Sequence, residues 1–458
     1  MTRFHFIGVG GSGMSAVARL TAARGIDVSG SDRGESAYFL ALRDAGMDVR
    51  VGHDPAFVDG ADAVVISTAV RESNPELARA RELEIPVLHR SEALARALEG
   101  KRLIAVAGSH GKTTTSAMVA HALHGAGVDA SFAVGARVFG VDGAVAGGYA
   151  GDSDVAVVEA DESDGSFLRY HPEVAILLNI EPDHLDHYGS VEALEQAFAD
   201  FARDCRVLVA CAEDDTVMRV ARAAADAGVE VITYGRADAD VTVTSEALVR
   251  DGAAHPLSVP IPGAHQRLNA SAAWTAAVAV GADSARVAGA LASFAGTGRR
   301  YQLRGEVGGV RVVDDYAHHP TEVAAVLAAA RASGVGHLVV LFQPALFTRT
   351  QLHAQAFADA LSVDDADVVI AGVHGDREDP IPGVTSQTIL DRMTVPDGST
   401  AQVVEDLEAA AAVAASLARA GTQVMTVGSG TVTLAAEWIL DALRSGGEPR
   451  AAGTGGHG

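Results

Sequence analysis

At 458 residues the chain is longer than one hydrophobic core usually serves, and three domains are expected. Hydrophobic residues at 48% with only 5% aromatics argue against a disordered body and for an α/β protein whose small side chains let helices pack closely on sheets. A formal charge of -24 argues against nucleic acid and membrane surfaces as partners, while leaving room for a local basic pocket that takes a nucleotide.

The N-terminus MTRFHFIGVGG runs straight into a strand and a glycine turn without the features of a signal peptide, and no apolar run is long enough to span a bilayer. A cytoplasmic location is therefore expected. Cys205 and Cys211 flank an apolar run and lack the companion pair of a zinc site, so they are read as reduced thiols.

Along the chain, short β-branched runs alternate with Ala-rich helical stretches, the pattern of mostly parallel sheets with helical crossovers. Strands are expected at Phe4-Val9, Ala63-Ile66, Leu103-Ala107, Val155-Val158, Val174-Leu178, Val207-Ala210, Val310-Asp314, Leu338-Phe342, Val368-Ala371 and Gln423-Val427. Joints near Glu99-Lys101 and Gly296-Arg299 divide the chain into residues 1-99, 100-296 and 297-445, with a Gly-rich, disordered tail at 446-458.

The first expected strand leads into Gly8-Val9-Gly10-Gly11-Ser12-Gly13, a G-x-G-x-x-G turn before a helix, and Asp32 closes the next strand at the expected distance. Such a turn suits any pyrophosphate, because glycines admit close backbone approach and a helix N-terminus attracts anions. Taken alone it also fits a nicotinamide-dependent oxidoreductase.

A second turn, Gly108-Ser109-His110-Gly111-Lys112-Thr113-Thr114-Thr115, follows Leu103-Ala107 and precedes a helical stretch from Ser116. Val106 takes the place of the first glycine of the usual phosphate-binding loop, but the working end is kept. Gly111 lets backbone N–H groups face phosphate, Lys112 neutralises its charge and the Thr113 hydroxyl can reach a divalent cation. Two nucleotide-type turns call for two different nucleotides.

Beyond two further strands stand Glu159-Ala160-Asp161-Glu162-Ser163-Asp164 and the run from Asn179 to His187, at the strand ends where open α/β sheets place ligands. Glu159 and His184 are candidate ligands for Mg²⁺ or Mn²⁺. A third run, Asp314 to Glu322, holds His318 and His319, which can orient a substrate or handle a proton.

In this order the strings GVGGSGMS, GSHGKTTT, EADESDGSF, NIEPDHLDHYG and DDYAHHPTE resemble the Mur ligases. The resemblance implies a Rossmann-like UDP-binding N-terminal domain, a central P-loop-type ATPase domain and a C-terminal Rossmann-like domain. The implied activity is ATP-dependent amide formation with Mg²⁺ or Mn²⁺, by a monomer or homodimer.

Within the family the match is to the branch that joins L-alanine to UDP-N-acetylmuramate, with the branch that joins a murein tripeptide as alternative. Carried over by motif, Gly10, Gly11, Ser12, Gly13, Met14, Asp32 and Ser67 hold the UDP-sugar. Gly108, Ser109, His110, Gly111, Lys112, Thr113, Thr114, Asn269 and Arg300 bind ATP. Thr113, Glu159 and His184 hold the metal, and His318 and Arg349 lie by the amino acid. Lys112, His184, His318 and Arg300 carry the chemistry. Ala345, Leu346 and Phe347 depart from the family's FQPHRYTR, and Phe198-Phe201 lacks the lysine that other members carry.

Overall fold

A computed structural model describes residues 2–144, 147–375 and 378–446. The Gly-rich tail expected at 446–458 lies outside the described residues apart from Gly446. The chain divides into two compact units, one of Met1–Pro260 with Gln266–Gly298, the other of Ile261–His265 with the chain from Arg299. Among the described residues no helix is long and apolar enough to cross a membrane.

The first unit holds two sheets. Strands β1 (Arg3–Ile7), β2 (Asp27–Asp32), β3 (Asp48–Val51), β4 (Ala63–Ile66) and β5 (Val87–His89) are parallel in the order 3-2-1-4-5, which puts a topological switch point between β1 and β4. Contrary to the sequence expectation, β1 stops at Ile7. Gly8 takes φ +80°, and the Gly8 and Val9 N–H groups both donate to the Ser31 carbonyl, which starts the turn two residues early.

The second sheet comprises β6 (Arg102–Ala107), β7 (Ser131–Ala133), β8 (Gly148–Tyr149), β9 (Val155–Glu159), β10 (Val174–Leu177), β11 (Val207–Cys211), β12 (Glu230–Gly235), β13 (Val241–Val243), β14 (Ala247–Arg250) and β15 (Ala253–Pro256). Its order is 15-14-13-12-11-10-6-9-7-8. The run from β13 to β7 is parallel, and antiparallel pairs extend it at both edges. In β6 every residue from Leu103 to Ala107 is buried, as a central strand covered on both faces requires. Its neighbours β9 and β10 carry the acidic and histidine-containing runs, so three chemistry-bearing loops leave one edge of the sheet side by side.

The second unit has one sheet, β16 (Gln302–Val307), β17 (Val310–Asp315), β18 (His337–Phe342), β19 (Ala366–Ala371), β20 (Thr400–Val404) and β21 (Thr422–Val427), in the order 16-17-21-18-19-20. Only β16 runs antiparallel to its partner. Alternating residues feed two cores. Val313, Val340, Phe342, Val368 and Ile370 pack with the helices Pro320–Ala332 and Phe347–Leu361, and Val312, Val339, Leu341 and Val369 pack with Leu407–Leu417 and Ala435–Arg444.

Candidate active site

The phosphate turn is built by the end of β6 and the helix Lys112–Gly125, which starts four residues before the Ser116 expected from sequence. Gly111 in the left-handed conformation, φ +87°, lets the chain turn into the helix, and Thr113, Thr114 and Thr115 are buried in its first turn. Their poor intrinsic helix preference is overridden by that packing. The turn is braced from the β10 side. Ser109 N and His110 N donate to the Asn179 carbonyl at 3.0 Å and to Asn179 Oδ1 at 2.7 Å, and Glu181 N donates to Ser109 Oγ at 2.8 Å. His110 Nε2 lies 3.4 Å from Glu181 Oε2. Asn269, on the helix Ala264–Ala279, stands over the same turn, with Oδ1 3.1 Å from the place a methyl on Gly111 would occupy.

Lys112 folds back over the turn. Its ammonium donates to Gly108 O at 2.7 Å and to Glu162 Oε2 at 2.7 Å. Burial acts to discharge this ammonium, but the neighbouring Glu162 and Asp161 carboxylates outweigh it and hold the group above the ordinary lysine range. Thr113 Oγ1 donates to Glu159 Oε1 at 2.7 Å, and Glu159 Oε2 accepts from Gly135 N at 2.8 Å. A hydroxyl and a carboxylate at this spacing are a hard-oxygen donor pair that fits Mg²⁺. His184 takes other partners: its N–H donates to Asp183 Oδ1 at 2.8 Å and its Nε2 lies 3.6 Å from Asp183 Oδ2. Its φ of +53° is a left-handed backbone, uncommon for any residue but glycine.

The first glycine turn is closed by Asp32, whose Oδ2 accepts from Gly10 N at 2.9 Å, and by Ser36, whose hydroxyl donates to Gly10 O at 2.7 Å. Gly11 caps the helix Ser12–Ala23, Met14 is buried inside its first turn, and Ser67 follows β4 directly at the switch point. Sequence reasoning missed Arg90, whose Nη2 donates to Asp161 Oδ2 at 3.1 Å and whose Nη1 lies 2.7 Å from the place of a methyl on Gly13. The capping box of His89 and Glu92 was the available signal, but it marks a helix start and says nothing of where the arginine reaches.

In the second unit, Arg299 and Arg300 lie against the Tyr316 ring with guanidinium carbons 4.8 and 5.0 Å from its centroid. Asp315 accepts from Tyr301 N and Ala317 N, each at 2.7 Å, and burial pushes its carboxyl up to about 6 against the pull of Arg300. His318 Nδ1 is 3.1 Å from the Tyr316 carbonyl and 3.3 Å from Glu322 Oε2. Two acceptors at one nitrogen fix the tautomer with hydrogen on Nδ1 and the lone pair on Nε2. Burial, Arg349 and Arg300 bring the ring down to about 4 although Glu322 opposes them, so it is neutral at pH 7. Arg349 lies in the first turn of Phe347–Leu361, behind Leu346 at φ +66° and the buried Ala345. Gln343 Oε1 accepts from Val432 N at 2.9 Å and braces the turn Gly428-Ser429-Gly430.

Three family descriptions match in sequence: "Mur ligase family, catalytic domain" over residues 3–102, "Mur ligase middle domain" over 106–277 and "Mur ligase, glutamate ligase domain" over 299–430. The chain belongs to the Mur ligase family. This Mur ligase is 48% identical over 461 residues to UDP-N-acetylmuramate--L-alanine ligase of Renibacterium salmoninarum, covering 96% of each chain. It is 44% identical to the enzyme of the same name from Streptomyces coelicolor, over 97% of this chain and 98% of that one. The crystal structure of UDP-N-acetylmuramate-alanine ligase from Thermotoga maritima superposes with a TM-score of 0.81 at 29% identity, over 97% of this Mur ligase and 100% of that chain. A murein peptide ligase from Psychrobacter arcticus shares the fold, with a TM-score of 0.70 at 23% identity over 97% and 99% of the two chains.

Proposed function

We propose that this Mur ligase joins L-alanine to the lactyl carboxylate of UDP-N-acetylmuramate, converting ATP to ADP and phosphate, in the cytoplasm. The observation that carries this reading is end-to-end similarity at 48% identity to a ligase named for those two substrates, in a chain that keeps the Lys112 phosphate turn.

A carboxylate is a poor acyl donor, so one of its oxygens must first become part of a leaving group. In this reading the lactyl carboxylate oxygen attacks the γ-phosphorus of ATP, the bond to the β,γ-bridging oxygen breaks, and ADP departs. The product is an acyl phosphate. Lys112 and the N–H groups from Gly111 to Thr114 stabilise the charge on the transferred group, and Arg300 is assigned a further phosphate contact. A divalent cation held by Thr113 and Glu159, with His184 as third ligand, would neutralise phosphate oxygens when bound. The unprotonated amine of L-alanine then attacks the acyl carbon, the tetrahedral intermediate expels phosphate, and the amine gives up a proton. Arg349 is assigned to the amino acid's carboxylate. Neutral His318, with its lone pair on Nε2, accepts a hydrogen bond from the amino group. The UDP-sugar takes the first glycine turn, at Gly10–Met14, Asp32 and Ser67.

Phosphate release from ATP with UDP-N-acetylmuramate, Mg²⁺ and a panel of acceptors tests this. Release that requires the UDP-sugar and is fastest with L-alanine is expected, with the product confirmed by mass. Preference for the murein tripeptide, or no turnover, overturns it.

A further inference from the structure

Arg90 touches both halves of the first unit. His89 caps the helix Arg90–Ala97 and Glu92 caps in return, which fixes how Arg90 leaves the backbone. Nη1 rests on the first turn of the helix Ser12–Ala23, 2.7 Å from the place of a methyl on Gly13. Nη2 donates to Asp161 Oδ2 at 3.1 Å, its only hydrogen bond among the described residues. Asp161 stands between Glu159, which holds Thr113, and Glu162, which holds Lys112. The two sheets are in direct contact nearby, since a methyl on Gly148 of β8 would meet Ala16 Cα at 2.8 Å.

The electrostatics of this placement are telling. A helix N-terminus carries partial positive charge, and a guanidinium set against it is repelled unless anions stand beside both. Asp161 supplies one such anion and leaves most of the five guanidinium donors for another. A planar fork next to the first-turn N–H groups of the helix Ser12–Ala23 matches a phosphate better than it matches any neutral part of a sugar nucleotide.

We propose that Arg90 grips the diphosphate of the UDP-sugar on the first glycine turn and, through Asp161, ties occupancy of that turn to the acidic loop holding Lys112. The proposal rests on the reading of that turn as the UDP-sugar site.

The test uses the full chain, with calorimetric titration of UDP-N-acetylmuramate, steady-state kinetics and melting temperature for the wild type, Arg90→Ala, Arg90→Lys and Asp161→Asn. Arg90→Ala is expected to weaken UDP-N-acetylmuramate about tenfold or more in both titration and KM, with the KM for L-alanine unchanged. Arg90→Lys recovers part of this loss, because an ammonium keeps the charge without the fork. A nonhydrolysable ATP analogue is expected to tighten UDP-sugar binding in the wild type but not in Asp161→Asn, which by itself keeps UDP-sugar affinity within about threefold; no tightening in the wild type overturns the link through Asp161. Wild-type UDP-sugar affinity in Arg90→Ala overturns the proposal. So do equal losses in Arg90→Ala and Asp161→Asn with equal falls in melting temperature, which would make the pair a structural pin. Should Arg90→Ala not fold, Arg90→Lys against Asp161→Asn decides in the same way. A wild type that turns over no UDP-N-acetylmuramate instead overturns the functional reading, which separates the two failures.

Discussion

Lys112 and Glu162 form an ion pair, with Nζ 2.7 Å from Oε2, so the ammonium expected to meet ATP phosphates also faces a carboxylate. A triphosphate must compete with that carboxylate. Lys112→Ala is expected to lower phosphate release by about 10²–10³-fold while UDP-N-acetylmuramate still binds in titration. Glu162→Gln removes the competitor and should tighten ATP binding, with Asp161 still beside the ammonium. Release above a tenth of the wild-type rate in Lys112→Ala would sink the assignment.

Asp315 and His318 give stability opposite dependences on pH. The unfolded chain protonates His318 near 6.5, whereas the native ring waits until about 4, so this contribution is present above 6.5 and is lost as pH falls through that window. Asp315 works the other way. The native carboxyl keeps its proton up to about 6 and the unfolded one releases it near 3.9, so its contribution is present at low pH and is lost as pH rises. Each displacement corresponds to on the order of 3 kcal/mol, and the two largely offset between pH 4 and 6. Asp315→Asn should therefore make the melting temperature fall more steeply on acidification, and His318→Gln should flatten or reverse the slope. Parallel curves for both variants and the wild type would show that neither group is shifted.

Much of the fold was legible because apolar runs bounded by glycine turns dictate parallel strands, and the ten expected strands all formed with their ends moved by a few residues. The phosphate turn was legible because Gly111, Lys112 and Thr113 have no ordinary structural use in that order. What stayed hidden came from contacts distant in the chain. Arg90 is 71 residues from Asp161, and its reach depends on how β5 places the helix start, which no local pattern encodes. The early helix start at Lys112 was hidden for a related reason. Three consecutive threonines read as poor helix formers until the surrounding core buries them.

Gly108 and Gly100 both have positive φ, +136° and +82°, but their surroundings differ. A methyl on Gly108 would lie 3.0 Å from the Asn179 carbonyl oxygen and 3.0 Å from Leu178 Cβ, whereas one on Gly100 meets nothing. Gly100→Ala should cost about 1 kcal/mol, from backbone strain alone. Gly108→Ala adds the collision with Leu178 and Asn179, just past the end of β10, and should cost about 2–3 kcal/mol, along with ATP binding. Equal melting temperatures for the two variants would mean that the turn yields where the packing says it cannot.

Thr113 is the sharpest probe of the proposed metal pair because its hydroxyl and methyl do separate things. The hydroxyl donates to Glu159 Oε1 at 2.7 Å, and the side chain is buried under the phosphate turn. Thr113→Ser keeps the oxygen and loses a methyl, so Mg²⁺-dependent ATP affinity should stay near that of the wild type while stability falls by about 1 kcal/mol. Thr113→Val keeps the shape and loses the oxygen, which takes the donor from Glu159 Oε1, leaves the Gly135 N–H on Oε2, and removes a hard ligand. Titrating ATP with and without Mg²⁺ should then show the cation's contribution falling by about tenfold in Thr113→Val alone. If valine and serine behave alike, the hydroxyl is a brace for Glu159 and the cation is held elsewhere.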